Sequence, residues 1–250
     1  MLGIDVGGTG IKGALVAVES GELQSDRHRV ETPRPATPDN MALAIRQLVG
    51  EFDYEGTVGC CFPTVVVNGR ARTVSNLDEA WRNVPIDETF ARATGLTFNV
   101  INDADAAAVA EMQLGAGRGL DGLVLTITIG TGLGSGMYYR GRLIPNMEFG
   151  HMAGKDREPF EAYASKRARI EEDLSWLEWG ARFDEFLQRV ERVCSPDHFI
   201  VGGGTSKKFE RFKDAMTVET PIHIAHFLNN AGIIGAVVAA AQEERTGKVE

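Results

Sequence analysis

The sequence predicts a mixed α/β protein of two lobes around a cleft, and three observations lead there. Glycine-rich turns recur three times along the 250 residues, each entered from a β-type apolar run: DVGGTGIKG at 5–13, TIGTGLGSG at 128–136 and VGGGTSKK at 201–208. Short β-type runs alternate with segments of helical apolar spacing, which is the order of an α/β architecture. A unit of strand, glycine turn and strand stands near the start and again at 122–144, a weak internal repeat. One glycine cluster is often only a hairpin, but three suggest a polyanion held from several sides. Glycine permits positive φ and lets backbone N–H groups converge on phosphate oxygens with no Cβ in the way. The first expectation is phosphoryl transfer.

Each element has its own signal. LGIDV and IKGALVAV read as strands joined by the first turn, and RHRVET extends their sheet. Thr37, Pro38 and Asp39 supply a helix start, followed by helical apolar spacing over 41–52. GTVGCCFP returns to β structure, with short pieces at 65–67 and 71–74, and 89–95 reads as a helix stopped by Gly95. FNVIN is a short buried strand running into DADAAAVAEMQLG, an alanine-rich helix with Asp103 and Asp105 in its first turn, where the helix dipole favours them. GLVLTITIG and SGMYYRGRLI are strands around the second turn. Beyond Gly150 the chain turns charged and helical, and Leu174, Trp176, Trp179, Phe183, Phe186 and Leu187 have the spacing of a core face. HFIVGGG is a strand ending in the third turn, and 230–241 a small-residue helix. The expected division is a small lobe over 1–115, with a C-terminal helix at 230–245 packed back on it, and a large lobe over 116–229.

Composition narrows the class. With 43% hydrophobic and 24% charged residues the chain reads as an ordinary globular protein, and no apolar run approaches the ~18 residues that span a bilayer. MLGIDVGG enters a strand with neither the basic start nor the cleavage site of a signal peptide, so a cytoplasmic protein without membrane contact is expected. Three cysteines, with Cys60 and Cys61 adjacent, cannot make a disulfide framework and show no metal spacing; packing in a buried strand is the expectation. A net charge of -9 argues against nucleic-acid binding. Two basic blocks are local exceptions: Lys166, Arg167 and Arg169, and Lys207, Lys208, Arg211 and Lys213 after the third turn. Either block alone reads as a solvated helix face, but a basic segment beside a glycine turn also suits a phosphate chain.

DVGGTGIKG, NDADAAAVAE, TIGTGLGSG and NMEFGH resemble, in order, the first phosphate loop, catalytic segment, second phosphate loop and sugar segment of the ROK family of sugar kinases. GIDVGGTGIKG, PATPDN, NDADAAAVAEM, EDLSWLEW and FIVGGGTSKK together resemble its bacterial polyphosphate glucokinase and glucomannokinase subgroup. The resemblance covers nearly the whole chain. It implies the actin/hexokinase-like (ribonuclease H-like) fold with a cleft between lobes, glucose as acceptor, inorganic polyphosphate and ATP as donors, Mg2+ and a homodimer.

Phosphoryl transfer needs a positioned acceptor and donor, charge neutralisation and a proton acceptor. Asp103 is the candidate base, because NDAD puts a carboxylate at a strand-to-helix junction; its alternative is a helix N-cap, with Asp105 in reserve. Asp5, where a strand meets the first turn, suits hydrated Mg2+, or else merely caps the turn. Gly7, Gly8, Thr9 and Lys12 would meet phosphoryl oxygens. Thr131 with Gly130 and Gly132 would contact the middle of the donor. Gly202, Gly203 and Gly204, followed by Lys207 and Lys208, would approach the nucleoside or its polymeric replacement. Glu148 and His151, three apart, can face one sugar if their turn is helical. Asn76 and Asn102 complete the hydroxyl contacts by resemblance only.

Two departures from the family pattern matter. GHMAGKDREPFEAYASKRAR lacks the cysteine-rich zinc motif that many ROK kinases carry after Gly-His, so no zinc is expected. Thr64 follows Phe62 and Pro63 where the subgroup more usually has Pro-Gly, which would reshape sugar selectivity. An ATP-only hexose or amino-sugar kinase is the alternative enzyme. A sugar-responsive repressor would need a DNA-binding module and no Asp103, and a filament scaffold would not explain Glu148 with His151. Donor preference, glucose against mannose, and oligomeric state stay open.

Overall fold

The computed structural model describes residues 1–74, 77–154 and 158–247. The chain divides into two units, Met1–Ala110 with Asn230–Glu250, and Glu111–Asn229. No helix among the described residues is long and apolar enough to cross a membrane.

The first unit is built on a five-stranded sheet. Its strands are β1 (Leu2–Val6), β2 (Ile11–Leu15), β3 (His28–Val30), β4 (Thr57–Phe62) and β7 (Thr97–Asn102), in the order β3-β2-β1-β4-β7. The first three run antiparallel, while β4 and β7 add in parallel. A small ribbon of β5 (Val66–Val67) and β6 (Arg70–Ala71) stands apart. Helix α1 (Pro38–Val49) starts as the sequence predicts: Thr37 Oγ1 accepts from Asn40 N at 3.4 Å, and proline fills the first turn. Helix α2 (Ile86–Thr94) stops at Gly95, which takes φ 81. Leu2, Ile4, Ile11, Val58, Cys60 and Phe62 bury against Met41, Ile45, Leu48, Trp81 and Phe90. On α7 (Ala231–Thr246) the backbone at Ala236 and Val237 lies so near Gly59 that a Cβ there would overlap it. Gly235 is similarly pressed on Ala106 of α3 (Asp103–Leu114), whose small residues let two helices touch backbone to backbone.

The second unit repeats the plan. Strands β8 (Leu123–Ile129), β9 (Leu133–Tyr139), β10 (Arg142–Ile144), β11 (His198–Gly202) and β12 (Ile222–Ile224) order as β10-β9-β8-β11-β12. Again three antiparallel strands are followed by two in parallel. The weak repeat read from the glycine turns is therefore a repeat of sheet topology. Helices α4 (Phe160–Ala164), α5 (Lys166–Glu171) and α6 (Trp176–Cys194) fill the charged stretch. A reciprocal cap between Ser175 and Glu178 fixes where α6 begins. Trp179, Phe183, Phe186 and Leu187 bury completely against Leu125, Ile127, Phe199 and Phe212, whereas Trp176 is only half-buried at the rim.

Candidate active site

In the first unit, strand register assembles one group. Asp5 is the last polar residue of β1; its neighbours are Lys12 on β2 and Cys61 on β4. Lys12 Nζ lies 3.2 Å from Asp5 Oδ2, and the Cys61 thiol donates to Asp5 Oδ1 at 3.4 Å. Burial, then the Asp5 charge, push the Cys61 thiol well up, so it stays protonated and remains a donor. Gly232, at the start of α7, walls the pair: a Cβ there would sit 3.0 Å from Cys61 Sγ and 3.3 Å from the Asp5 carboxyl carbon. The sequence implies only packing for Cys61; the strand register adds its polar contact.

The first glycine turn is braced from β3 and the residues just after it. Arg29 donates to Thr9 O at 2.6 Å, Thr32 donates to Gly7 O, and Gly7 N closes on Gly10 O at 3.1 Å. Gly8 and Thr9 are exposed, and a Cβ on Gly8 would meet nothing within 4 Å. Neither Gly7 nor Gly8 needs positive φ, so the first turn uses glycine for bare backbone rather than for handedness.

At the junction of β7 and α3 two roles open to Asp103 separate. Asn102 takes the cap: its Oδ1 accepts from Ala104 N at 2.8 Å and Asp105 N at 3.0 Å, and its Nδ2 donates to Thr64 O at 2.9 Å. Asp103, whose Oδ1 also accepts from Ala104 N at 2.9 Å, stays exposed. Asp105 is 1% exposed, which closes it to a substrate hydroxyl. Asn102 is itself 5% exposed, with its amide committed to the cap and to Thr64 O. Thr64 does not face open space either; its hydroxyl is turned to the Thr73 carbonyl and hydroxyl, and it is 4% exposed. Asn76 lies outside the described residues.

In the second unit the register of β8 and β11 sets Gly202 opposite Thr128, so the second and third turns leave neighbouring strand ends. Gly203 takes φ 79, and a Cβ on it would be 2.6 Å from Ile129 O. Here glycine is required for handedness and for close approach together. Lys166 N donates to Gly130 O at 3.2 Å, tying α5 to the second turn. Gly130, Thr131 and Gly204 then share a cavity of about 400 Å3 with Lys166 and Arg167. Lys207 and Lys208 are exposed and are not in its wall.

Glu148 precedes a 3-10 turn, Phe149–His151, whose tight winding puts positions three apart on one side. Ser135 of β9 pins this turn, donating to Met147 O at 2.7 Å and accepting from Phe149 N at 2.9 Å. His151 lies between two carboxylates, Nδ1 at 3.7 Å from Glu148 and Nε2 at 3.6 Å from Glu161. Glu161 also accepts from Leu133 N at 3.3 Å and fits against Gly132, where a Cβ would collide with it. It thus joins the second glycine turn to the Glu148 and His151 pair. Sequence reading missed Glu161; the signal was a carboxylate ten or so positions after Gly-His, too generic without coordinates. Burial raises the Glu148 pKa, with His151 opposing and Glu161 adding to the rise, so its carboxylate takes a proton earlier on acidification. Among the described residues no group of three His, Cys, Asp or Glu side chains is arranged to hold a metal directly.

The ROK family model matches residues 1–171. The polyphosphate glucokinase of Mycobacterium tuberculosis is 39% identical over 96% of this chain and 91% of its own. The crystal structure of the inorganic polyphosphate/ATP-glucomannokinase from Arthrobacter sp. strain KM superposes with a TM-score of 0.93 at 41% identity, covering 97% of this chain and 98% of that one. A ROK family glucokinase from Streptomyces griseus, solved with glucose and AMPPNP, gives 0.81 at 26% identity over 97% and 99%. With an exposed carboxylate beside a capping asparagine, paired glycine turns opening on one cationic cavity, and full-length likeness to sugar kinases, the chain belongs to the ROK family.

Proposed function

We propose that this protein transfers the terminal phosphoryl group of inorganic polyphosphate, and that of ATP, to the 6-hydroxyl of glucose. The observation that carries the transfer is the exposed Asp103 carboxylate at the first position of α3, beside Asn102, whose side chain caps the helix. Asp103 accepts the proton of the attacking hydroxyl as its oxygen bonds to phosphorus. The bridging P–O bond breaks, and the donor leaves shortened by one phosphate. Glucose and the polyphosphate donor are supported by the named activities of the full-length relatives.

Asp5 suits Mg2+ held through water: it is a single, partly open carboxylate, and Mg2+ keeps several waters while bridging to substrate phosphates. Bound there, the ion would neutralise charge that develops on the phosphates. Lys12 steadies Asp5 and adds a positive charge, and the exposed backbone at Gly8 and Thr9, in the turn that Gly7 closes on Gly10, meets phosphoryl oxygens. On the second unit, Gly130, Thr131, Gly132 and Gly202 to Gly204 hold the rest of the donor. Glu148 and His151 accept from or donate to sugar hydroxyls, with Glu161 orienting the imidazole; Asn76 and Asn102 assist by resemblance. A cytoplasmic homodimer without zinc belongs to the same proposal.

The test is a coupled assay for glucose 6-phosphate with nucleotide-free enzyme, comparing long-chain polyphosphate with ATP. Product from both donors is expected. Product from ATP alone would replace this reading by that of an ATP-only hexose kinase.

A further inference from the structure

The donor cavity is continued by cations that the sequence keeps far apart. Lys166 and Arg167 line the cavity beside Gly130, Thr131 and Gly204. Farther along α5, the Arg169 guanidinium lies 4.1 Å from the centre of the Trp176 ring, and from the segment after the third turn Arg211 approaches the same ring at 5.8 Å. Trp176 is held for this. The Ser175 cap fixes it as the first residue of α6, and its ring stacks on Phe212 at 6.1 Å and 14°. One half-buried indole therefore gathers the two basic blocks onto one strip.

Charge decides what the strip is for. Of the carboxylates nearby, Glu172 is taken by Arg182 at 2.6 Å, Glu210 by Lys213 at 2.6 Å, and Glu178 by the Ser175 amide at 2.9 Å. Arg169 spends one N–H on Leu174 O at 2.9 Å. Among the described residues Lys166, Arg167 and Arg211 have no carboxylate within 4.0 Å, although Glu171 stands in the cavity wall. In a protein of net charge -9, two exposed cations against one carboxylate in the cavity wall, with a third exposed cation on the Trp176 ring, are a local reversal of sign.

We propose that Lys166 and Arg167 in the cavity wall, together with Arg211 held on the Trp176 ring, form a subsite for the phosphates of a linear polyphosphate beyond those a nucleoside triphosphate presents. The inference rests on the donor reading above. A nucleotide's phosphates end at a ribose, so outlying cations add little to its binding; a long polyanion continues and meets them. Lys207 and Lys208, which the sequence favours beside Arg211 as this track, are secondary, because they neither line the cavity nor lie on the Trp176 ring.

The experiment measures kcat/KM for long-chain polyphosphate, tripolyphosphate and ATP in the wild type, in Arg167→Gln with Arg211→Gln, and in Lys207→Gln with Lys208→Gln. Loss of an exposed cation contact is worth about two- to fivefold. The Arg167 and Arg211 double variant should therefore lower the ratio of long-chain polyphosphate to ATP by roughly five- to twentyfold. Tripolyphosphate should follow ATP, and the salt dependence of the long-chain reaction should become shallower. Circular dichroism checks that the variants fold. Equal losses for all donors, no loss, or a larger effect from the two lysines would overturn the subsite while leaving polyphosphate as a donor. A wild type that makes no product from polyphosphate overturns the donor reading and the subsite with it.

Discussion

Two carboxylates two positions apart have opposite fates on α3, and the difference is made by a third residue. Asn102 supplies both cap bonds, so Asp103 is left at the surface while Asp105 turns into the protein. NDAD is legible as a strand-to-helix junction that resembles a catalytic segment, but which residue caps is not, since asparagine and aspartate cap equally well. Asp103→Asn keeps shape and hydrogen bonding while removing basicity, so turnover should fall by roughly 10^2 to 10^4 with little change in sugar affinity. Steady-state kinetics of the folded variant check this; near-normal turnover would remove Asp103 as the base. A second residue-scale outcome concerns Cys61, whose thiol steadies Asp5. Cys61→Ala should raise the Mg2+ concentration for half-maximal rate by about two- to tenfold, the scale of one hydrogen bond. Sugar KM should hold, and Cys61→Ser should recover part of the loss. A uniform fall in rate at every Mg2+ concentration would assign Cys61 to packing alone.

At the scale of elements, periodicity and caps carried far. Thr37 with Pro38, Gly95, and the apolar spacing of Trp179, Phe183, Phe186 and Leu187 all stand in the structure as the sequence implies. What the sequence leaves out is which glycines matter and why. In the three turns only Gly203 is left-handed; the others expose backbone or admit a neighbour such as Glu161. Long-range contacts of this kind have no local signature, and for the same reason the α5 cations went unconnected to Trp176. Gly235, unremarkable inside a small-residue helix, is where α7 meets α3. A methyl there would overlap the Ala106 carbonyl. Gly235→Ala should improve helix propensity yet destabilise the fold by about 1–3 kcal/mol, because backbone cannot move aside as a side chain can. Urea denaturation reads it, and an unchanged midpoint would mean that the two helices separate freely.

Over the whole molecule the same plan appears twice: a three-stranded meander extended by two parallel strands, with a glycine turn between the first two strands. The sequence discloses this repeat through its turns, since a glycine cluster between two β-type runs is visible in both units. The first unit carries the proposed base and the proposed Mg2+ carboxylate; the second carries the pair proposed for the sugar and the turns proposed for the donor. Sugar phosphorylation by an inorganic polymer is thus the central claim, and phosphorus NMR of a nucleotide-free mixture of protein, glucose, Mg2+ and long-chain polyphosphate tests it most directly. Internal polyphosphate signal should decline as a sugar 6-phosphate resonance grows, one phosphate transferred per glucose consumed. An unchanged polyphosphate spectrum from protein that phosphorylates glucose with ATP would contradict it.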